Sequence, residues 1–159
     1  ANEDKIEELM TLKTKEEQEL RKLESITEDK IALGEQQPES DHFFKSQESA
    51  AGYFEDRHYR DAKGWFSYEM RNKNKQAKYL YLAYFDTNKN RVLNIDVNGK
   101  NVVSRTLEGA FGTKIQQLIL EIPQSEFNIE KLTVTIKAKD EKYTAKIIEL
   151  RLLNQTFNP

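Results

Sequence analysis

"RVLNIDVNGKNVV", residues 91–103, is the stretch that decides the fold. Apolar and polar side chains alternate through its first half, as in a strand buried on one face: Leu93, Ile95 and Val97 alternate with Asn94 and Asp96. Asn98 and Gly99 then supply the two residues that tolerate positive φ in a tight two-residue turn. The return strand begins at Lys100. The stretch therefore predicts an antiparallel β-hairpin.

Strand patterns continue on both sides of this hairpin. Alternating or short apolar runs, separated by polar turns, occur at Lys30–Leu33, Trp65–Met70, Lys78–Phe85, Gln116–Ile122, Lys131–Ala138 and Tyr143–Leu153. The run Lys78–Phe85 is apolar on both faces, which predicts a central strand. About seven or eight short strands with no helices between them are typical of an all-β fold. We predict an antiparallel β-sandwich of jelly-roll type over residues 26–159.

A helix is predicted ahead of the strands. Asn2–Glu24 carries a thin apolar stripe at helical spacing, formed by Ile6, Leu9, Met10, Leu20 and Leu23. So polar a helix is marginal in isolation and needs a surface to lie on. We interpret residues 1–25 as a connector helix, with a partner-binding helix as the alternative. Gly34 and Pro38 then mark a loop before the main strands.

The composition of the chain excludes several functions. Its 159 residues carry a formal net charge of -2 and give a pI near 5.8, so the basic excess of proteins that bind nucleic acid is missing. No apolar run approaches the roughly 20 residues that a membrane span requires. There is no cysteine, which excludes disulfides, thiol catalysis and thiolate metal sites. The opening "ANEDKIEEL" reads as the interior of a longer protein, and we expect the chain to be a fragment.

The stretch Gly52–Arg71, "GYFEDRHYRDAKGWFSYEMR", combines aromatic and charged side chains. One interpretation is a carbohydrate-binding surface, because aromatic rings stack on sugar rings while planar charged groups bind hydroxyls. The candidate residues for this surface are His58, Tyr59, Arg60, Asp61 and Trp65. The alternative is structural: Trp65 fills the core, and Arg60 pairs with Asp61 to fix a loop ahead of the strand.

Alternation along the strand that follows Gly64 assigns its two faces. Phe66, Tyr68 and Met70 are uniformly apolar, so we expect them to face the sandwich interior. Trp65 then lies on the other face, beside the loop that carries His58. This assignment leaves Trp65 available to a ligand.

Catalytic and metal-binding patterns are weak in this sequence. His42 and His58 have no ligand motif beside them, so no zinc site is predicted. Oxygen-only sites leave a faint sequence trace, and the weak candidates for a structural calcium ion are Glu39, Asp41, Asp56 and Asp61. No nucleophile elbow, phosphate-binding loop or dinucleotide fingerprint is present. We therefore predict no catalytic residues and no other cofactor, and expect that the chain is not itself an enzyme.

Three long stretches carry a resemblance to a known family. "GEQQPESDHFFKSQESAAGYFEDRHYRDAKGWFSYEMR", "AKYLYLAYFDTNKNRVLNIDVNGK" and "AKIIELRLLN" resemble the carboxy-terminal accessory domain of bacterial enzymes of glycoside hydrolase family 127, the β-L-arabinofuranosidase family. The likeness covers residues 26–154. It implies an all-β domain similar to a carbohydrate-binding module. It also implies a secreted or periplasmic enzyme that degrades plant glycans, as is typical of gut Bacteroidetes.

The resemblance implies binding partners for this chain, but not the catalytic zinc site of the family. The zinc site of that family uses cysteines and a glutamate of the catalytic barrel, and this chain has no cysteine to match them. The implied partners are the catalytic domain of the same protein and a plant polysaccharide or oligosaccharide. Two functions stay open. The domain binds carbohydrate or positions substrate, or it is purely structural and packs on the catalytic domain or mediates oligomers.

Overall fold

A computed structural model describes residues 2–158 of the chain. Helix α1 spans Asn2–Ser25, α2 spans Gln36–Asp41, and a short 3₁₀ helix spans Gln124–Glu126. The strands are β1 Thr27–Ala32, β2 Lys45–Phe54, β3 Arg57–Arg71, β4 Tyr79–Phe85, β5 Lys89–Val97, β6 Lys100–Glu108, β7 Ile115–Glu121, β8 Lys131–Lys137 and β9 Lys146–Leu153. No helix within this described part is long and apolar enough to cross a membrane.

The strands form a nearly closed antiparallel sandwich. Neighbouring strands follow the order β6-β5-β8-β3-β9-β4-β7, while β1 pairs with β9 and β2 pairs with β3. The long strand β3 joins the two layers, because its second half pairs with β8 and its Arg60 pairs with Ile147 of β9. The predicted fold class, an all-β sandwich preceded by a helix, is confirmed.

The main core lies between the two layers. Phe66, Tyr68 and Met70 of β3 are fully buried in it, as the alternation of that strand predicted. Strand β4 is apolar on both faces because it serves two clusters. Its Leu80, Leu82 and Tyr84 face the main core, whereas Tyr81, Ala83 and Phe85 join a second cluster on the outer side of the sheet. The prediction of an interior strand is confirmed, since β4 has β9 and β7 on its two sides.

The second cluster ties the end of helix α1 to the sandwich. Leu23 and Ile26 are buried there with Ile148 and Phe157. Most of the helix before this point has no such cover: Ile6, Leu9, Met10 and Leu20 are 53–65% exposed. The predicted helix exists, but only its last two turns lie against the domain.

The predicted hairpin is present at residues 91–103. Asn98 and Gly99 have φ values of 50° and 80°, and β5 pairs with β6 on either side of this turn. Strand β6 begins at Lys100, as predicted. Because the turn and the alternation are both local properties, the sequence alone was sufficient to predict this element.

Two segments differ from the prediction. The loop expected around Gly34 and Pro38 is partly helical, because α2 occupies Gln36–Asp41, a helix of six residues. The presumed loop that carries His58 to Asp61 is strand, because β3 begins at Arg57 and pairs residue by residue with the unpredicted strand β2. Glu55 and Asp56 form the turn between them with φ values of 48° and 62°. Strand β2 was missed because its side chains are mostly exposed and it has no apolar alternation.

Candidate functional site

The extension of β3 separates the five candidate residues. Successive side chains of a strand point to opposite faces, so Tyr59 and Asp61 leave the strand on one side and His58 and Arg60 on the other. Trp65 lies further along the strand, where β3 pairs with β8. The candidates therefore do not form a single site.

The Arg60 side chain is held by neighbouring side chains of the domain. Its Nε and Nη2 donate to the two carboxylate oxygens of Glu39 at 2.6 and 3.0 Å, and its Nη1 donates to Ser49 Oγ at 2.9 Å. The guanidinium lies 4.2 Å from the centre of the Phe44 ring. The predicted pair between Arg60 and Asp61 is wrong, because α2 places Glu39 over the strand and its carboxylate matches the guanidinium fork.

The Glu39 carboxylate also accepts a hydrogen bond from the buried Tyr68 hydroxyl. Burial and this neighbouring carboxylate raise the pKa of Tyr68 above its usual range. Glu39 is therefore shared between an arginine and a tyrosine, both of them from β3. This network anchors α2 to the sheet and commits three of the five N–H donors of Arg60 to Glu39 and Ser49.

Asp61 is paired with an arginine from a distant part of the chain. Arg91 Nη1 of β5 donates to Asp61 Oδ2 at 2.7 Å and to the main-chain oxygen of Thr144 at 2.9 Å. The Arg91 guanidinium lies 5.6 Å from the centre of the Tyr143 ring, and that ring is 46% exposed. Arg91 and Tyr143 were missed from the sequence because they lie far from Asp61 along the chain.

Lys146 completes this group beside Tyr59. Its ammonium lies 5.1 Å from the centre of the Phe54 ring and 5.3 Å from that of Tyr59. Burial lowers the pKa of Lys146, the charge of Arg91 lowers it further, and Asp61 acts in the opposite direction. Burial and then the charge of Asp61 raise the pKa of Tyr59. These charges and rings thus form one electrostatically connected surface.

We call this group the Arg91 surface; it consists of Tyr59, Asp61, Arg91, Tyr143 and Lys146. The position of Gly52 shows how closely this surface is built, since a side chain there would collide with the Tyr59 ring. A cavity of about 370 Å³ adjoins it, between the β4–β5 and β8–β9 connections, and is lined by Asn88, Lys89, Asn90, Arg91, Glu141, Lys142 and Tyr143. The surface is open, partly aromatic and rich in groups that bind hydroxyls.

His58 and Trp65 lie elsewhere. The His58 ring meets the Tyr53 ring edge-on, with centroids 4.9 Å apart, and both side chains are exposed near the β2–β3 turn. Trp65 is half-buried, and its Nε1 donates to Gln47 Oε1 at 3.3 Å. Trp65 belongs to neither apolar cluster, so the alternative in which it fills the core is wrong. The core at this strand is already filled by Phe66 and Tyr68.

The calcium candidates are also dispersed. Glu39 and Asp41 lie on α2, Asp56 lies in the β2–β3 turn, and Asp61 is paired with Arg91. Within residues 2–158, no three histidine, aspartate or glutamate side chains are arranged to hold a metal ion. Calcium binding stays a prediction, tested by comparing thermal unfolding in calcium and in chelator.

Several solved structures share this fold. A family 35 carbohydrate binding module from an environmental isolate superposes with a TM-score of 0.59 at 13% identity, covering 82% of this chain and 96% of that one. A family 35 module from Clostridium thermocellum gives 0.51 at 14% identity, covering 79% and 98%. An exo-β-1,3-galactanase from Phanerochaete chrysosporium with galactose gives 0.53 at 10% identity; this chain spans only 28% of its length. At these identities the likeness establishes the fold.

The sequence comparisons address the family. No curated protein sequence matches this chain. Residues 22–153 match the profile of a family of unknown function, DUF6805. That range begins in the last turn of α1 and ends with the last residue of β9, so it contains the whole sandwich. The chain therefore belongs to the DUF6805 family of unknown function.

Proposed function

We propose that this domain is a non-catalytic accessory domain that binds carbohydrate through the Arg91 surface. The observation that carries the proposal is the exposed Tyr143 ring beside the Asp61–Arg91 ion pair. An aromatic face stacks on a sugar ring, and carboxylate and guanidinium groups bind its hydroxyls. The fold shared with carbohydrate binding modules supports this function.

Charged groups of both signs line this surface and its cavity. Lys146 adds a positive charge near the Tyr59 ring, and Lys89, Glu141 and Lys142 line the adjoining cavity. Asp61 offsets the charge of Arg91 in their ion pair. The pair still has hydrogen-bonding capacity, because a guanidinium has five N–H donors and a carboxylate accepts about four hydrogen bonds. A sugar hydroxyl can therefore bind both groups without breaking the ion pair.

Isothermal titration with arabinan, arabinogalactan, β-1,3-galactan and pectic oligosaccharides tests this proposal. We expect weak, saturable binding to at least one glycan, and Tyr143→Ala should weaken it about tenfold, as loss of an aromatic contact does. Tyr53→Ala is the matched control, because Tyr53 is also exposed but lies by the β2–β3 turn. If no glycan gives a measurable heat of binding, carbohydrate binding is refuted. If only Tyr53→Ala loses binding, the assignment of the binding site to the Arg91 surface is refuted.

The wider context is part of the same proposal. The parent protein is a secreted or periplasmic glycoside hydrolase similar to family 127 enzymes, its catalytic domain lies outside this chain, and its substrate is a plant glycan. Cell fractionation of the native protein and sequencing upstream of Ala1 test this context. A cytoplasmic location or an unrelated neighbouring domain would contradict it.

The exposed stripe of α1 favours a second candidate function. Ile6, Leu9 and Met10 are apolar and more than half exposed, as expected of a helix that packs on another domain. In this alternative the domain is structural. Deleting the domain from the intact protein should then lower its thermal stability and leave its affinity for the polysaccharide unchanged. If the domain is a binding module, the deletion should instead weaken polysaccharide binding and leave thermal stability unchanged.

A further inference from the structure

A cavity lies between the last turns of α1 and the outer face of the sheet, and its volume is about 350 Å³. Strand pairing arranges its floor in two rows. Arg151 of β9 lies beside Tyr81 of β4, and in the next row Ala83 of β4 lies between Glu149 of β9 and Gln117 of β7. All five of these residues line the cavity.

The small side chain of Ala83 explains why this face has room for a cavity. Its two cross-strand neighbours, Glu149 and Gln117, carry long side chains, and Tyr81 lies two positions along the same strand and face. A methyl group among three larger side chains leaves a depression in the sheet surface. Ala83 is buried in the second cluster together with Leu23, so the end of α1 covers this depression.

A buried guanidinium beside this cavity has an unused donor. Arg151 is only 3% exposed; its Nη2 donates to Glu149 at 2.9 Å, and its Nη1 donates to Thr27 Oγ1 at 3.1 Å. Its Nε has no hydrogen-bond partner among residues 2–158. Nε and Nη2 lie on the same edge of the planar guanidinium, and Glu149, the partner of Nη2, lines the cavity. Because a buried donor without a partner is costly, this edge favours a ligand with an oxygen acceptor.

The other polar groups of the floor both donate and accept. Gln117 Nε2 donates to the Tyr81 hydroxyl oxygen at 2.6 Å, a bond that uses neither the Tyr81 O–H hydrogen nor the Gln117 side-chain oxygen. Glu149 adds a second carboxylate oxygen as an acceptor. Hydroxyl groups match such a mixed set, because each donates one hydrogen bond and accepts two.

The charges around the cavity disfavour an anionic ligand. Arg151 is already paired with two carboxylates, at 2.9 and 3.0 Å. Arg57 adds one positive charge to the lining, whereas Glu16 and Glu19 of α1 add two negative charges. A carboxylate or phosphate in the cavity would therefore meet like charges, which a neutral molecule avoids.

We propose that this cavity binds one neutral sugar unit, with a hydroxyl oxygen of the sugar accepting from Arg151 Nε. Leu20 and Phe157 line the cavity as well and supply apolar surface for the C–H groups of the ring. Its volume lies at the lower end of the roughly 300–1000 Å³ of small-molecule sites and far above the roughly 30 Å³ of one water molecule. The site is separate from the Arg91 surface and does not depend on it.

Nuclear magnetic resonance of the arginine side chains tests the proposal. The probes are L-arabinose, D-galactose and D-xylose, each added to the 159-residue chain. We expect at least one sugar to shift the Arg151 Nε–H resonance saturably, with a dissociation constant of about 1–10 mM. D-Galacturonate should bind at least about tenfold more weakly than that sugar, because its carboxylate meets the acidic lining.

Two helix variants provide the matched comparison. Leu20 and Leu12 are 53% and 56% exposed, but Leu20 lines the cavity, whereas Leu12 lies about two turns away. Leu20→Trp should fill the cavity and weaken sugar binding at least about tenfold, while Leu12→Trp should leave it unchanged. Ala83→Leu, which fills the cavity from the sheet, should act like Leu20→Trp.

The proposal is overturned if none of the three sugars shifts the Arg151 resonance at about 100 mM, or if the two helix variants bind equally well. Equal binding of galacturonate, or an equal shift with glycerol, would also overturn it. Tyr143→Ala should leave the Arg151 shift unchanged. This variant keeps the test separate from that of the Arg91 surface, because each site can fail while the other still binds.

Discussion

At the scale of single residues, each of the two ring nitrogens of His42 lies within hydrogen-bond distance of an oxygen acceptor. Nδ1 lies 2.8 Å from the Pro38 carbonyl oxygen and Nε2 lies 2.9 Å from an Asp29 carboxylate oxygen. A ring that faces two acceptors must donate from both nitrogens, so the protonated form is favoured. Burial lowers the pKa of His42, as does the charge of Arg71, but the hydrogen bonds and Asp29 outweigh them and leave the pKa raised.

This geometry predicts that the free energy of unfolding falls as the pH rises above neutrality. A histidine with a raised folded-state pKa contributes its full stability below its unfolded-state pKa of 6.5, and that contribution is lost as pH rises through the folded-state pKa. Asp29 has a lowered pKa, so its contribution is lost only in acid. We expect the free energy of unfolding to decline above about pH 6.5, by at most about 1.4 kcal/mol per pH unit.

Urea denaturation at a series of pH values measures this decline. His42→Gln should remove most of it, while His58→Gln, at an exposed position, should leave it unchanged. A decline of equal slope in His42→Gln would mean that another group is responsible.

At the scale of elements, β3 carries side chains with very different roles on adjacent positions. Phe66 is fully buried in the main core, whereas Trp65 is half-buried and contacts Gln47. Phe66→Ala should lower the free energy of unfolding by about 3–5 kcal/mol, the usual cost of removing a core aromatic residue. Trp65→Ala should cost clearly less, and thermal denaturation of the two variants compares them. If Trp65→Ala proves the more damaging, the two faces of β3 have been assigned the wrong way round.

The same strand shows what the sequence can and cannot predict. The second half of β3 was predicted because its apolar alternation reflects burial between the layers. Its first half was read as a loop because Arg60 is buried by an ion pair with Glu39 of α2, and no hydrophobic pattern records such a contact. The Arg91 surface was only half predicted, through Tyr59 and Asp61. Arg91 and Tyr143 join it through the pairing of distant strands, which a single sequence does not specify.

At the scale of the whole molecule, the domain begins structurally in the last turn of α1. The family match starts at residue 22, and Leu23 is the first residue buried in either apolar cluster. From Glu3 to Gln18 every side chain of the helix is exposed. The first part of α1 is therefore not required to complete either cluster, which leaves its apolar stripe for a neighbouring surface.

Deleting residues 1–15 while keeping the last turns of α1 tests this division. We expect the free energy of unfolding to change by less than about 0.5 kcal/mol, because exposed positions away from special contacts contribute little. Leu23→Ala in the intact chain should instead cost about 2–5 kcal/mol, since it opens a cavity between α1 and the sheet. Urea denaturation of both proteins measures the difference. A deletion as costly as Leu23→Ala would show that the exposed half of the helix stabilises the sandwich, and its apolar stripe would then no longer argue for a partner domain.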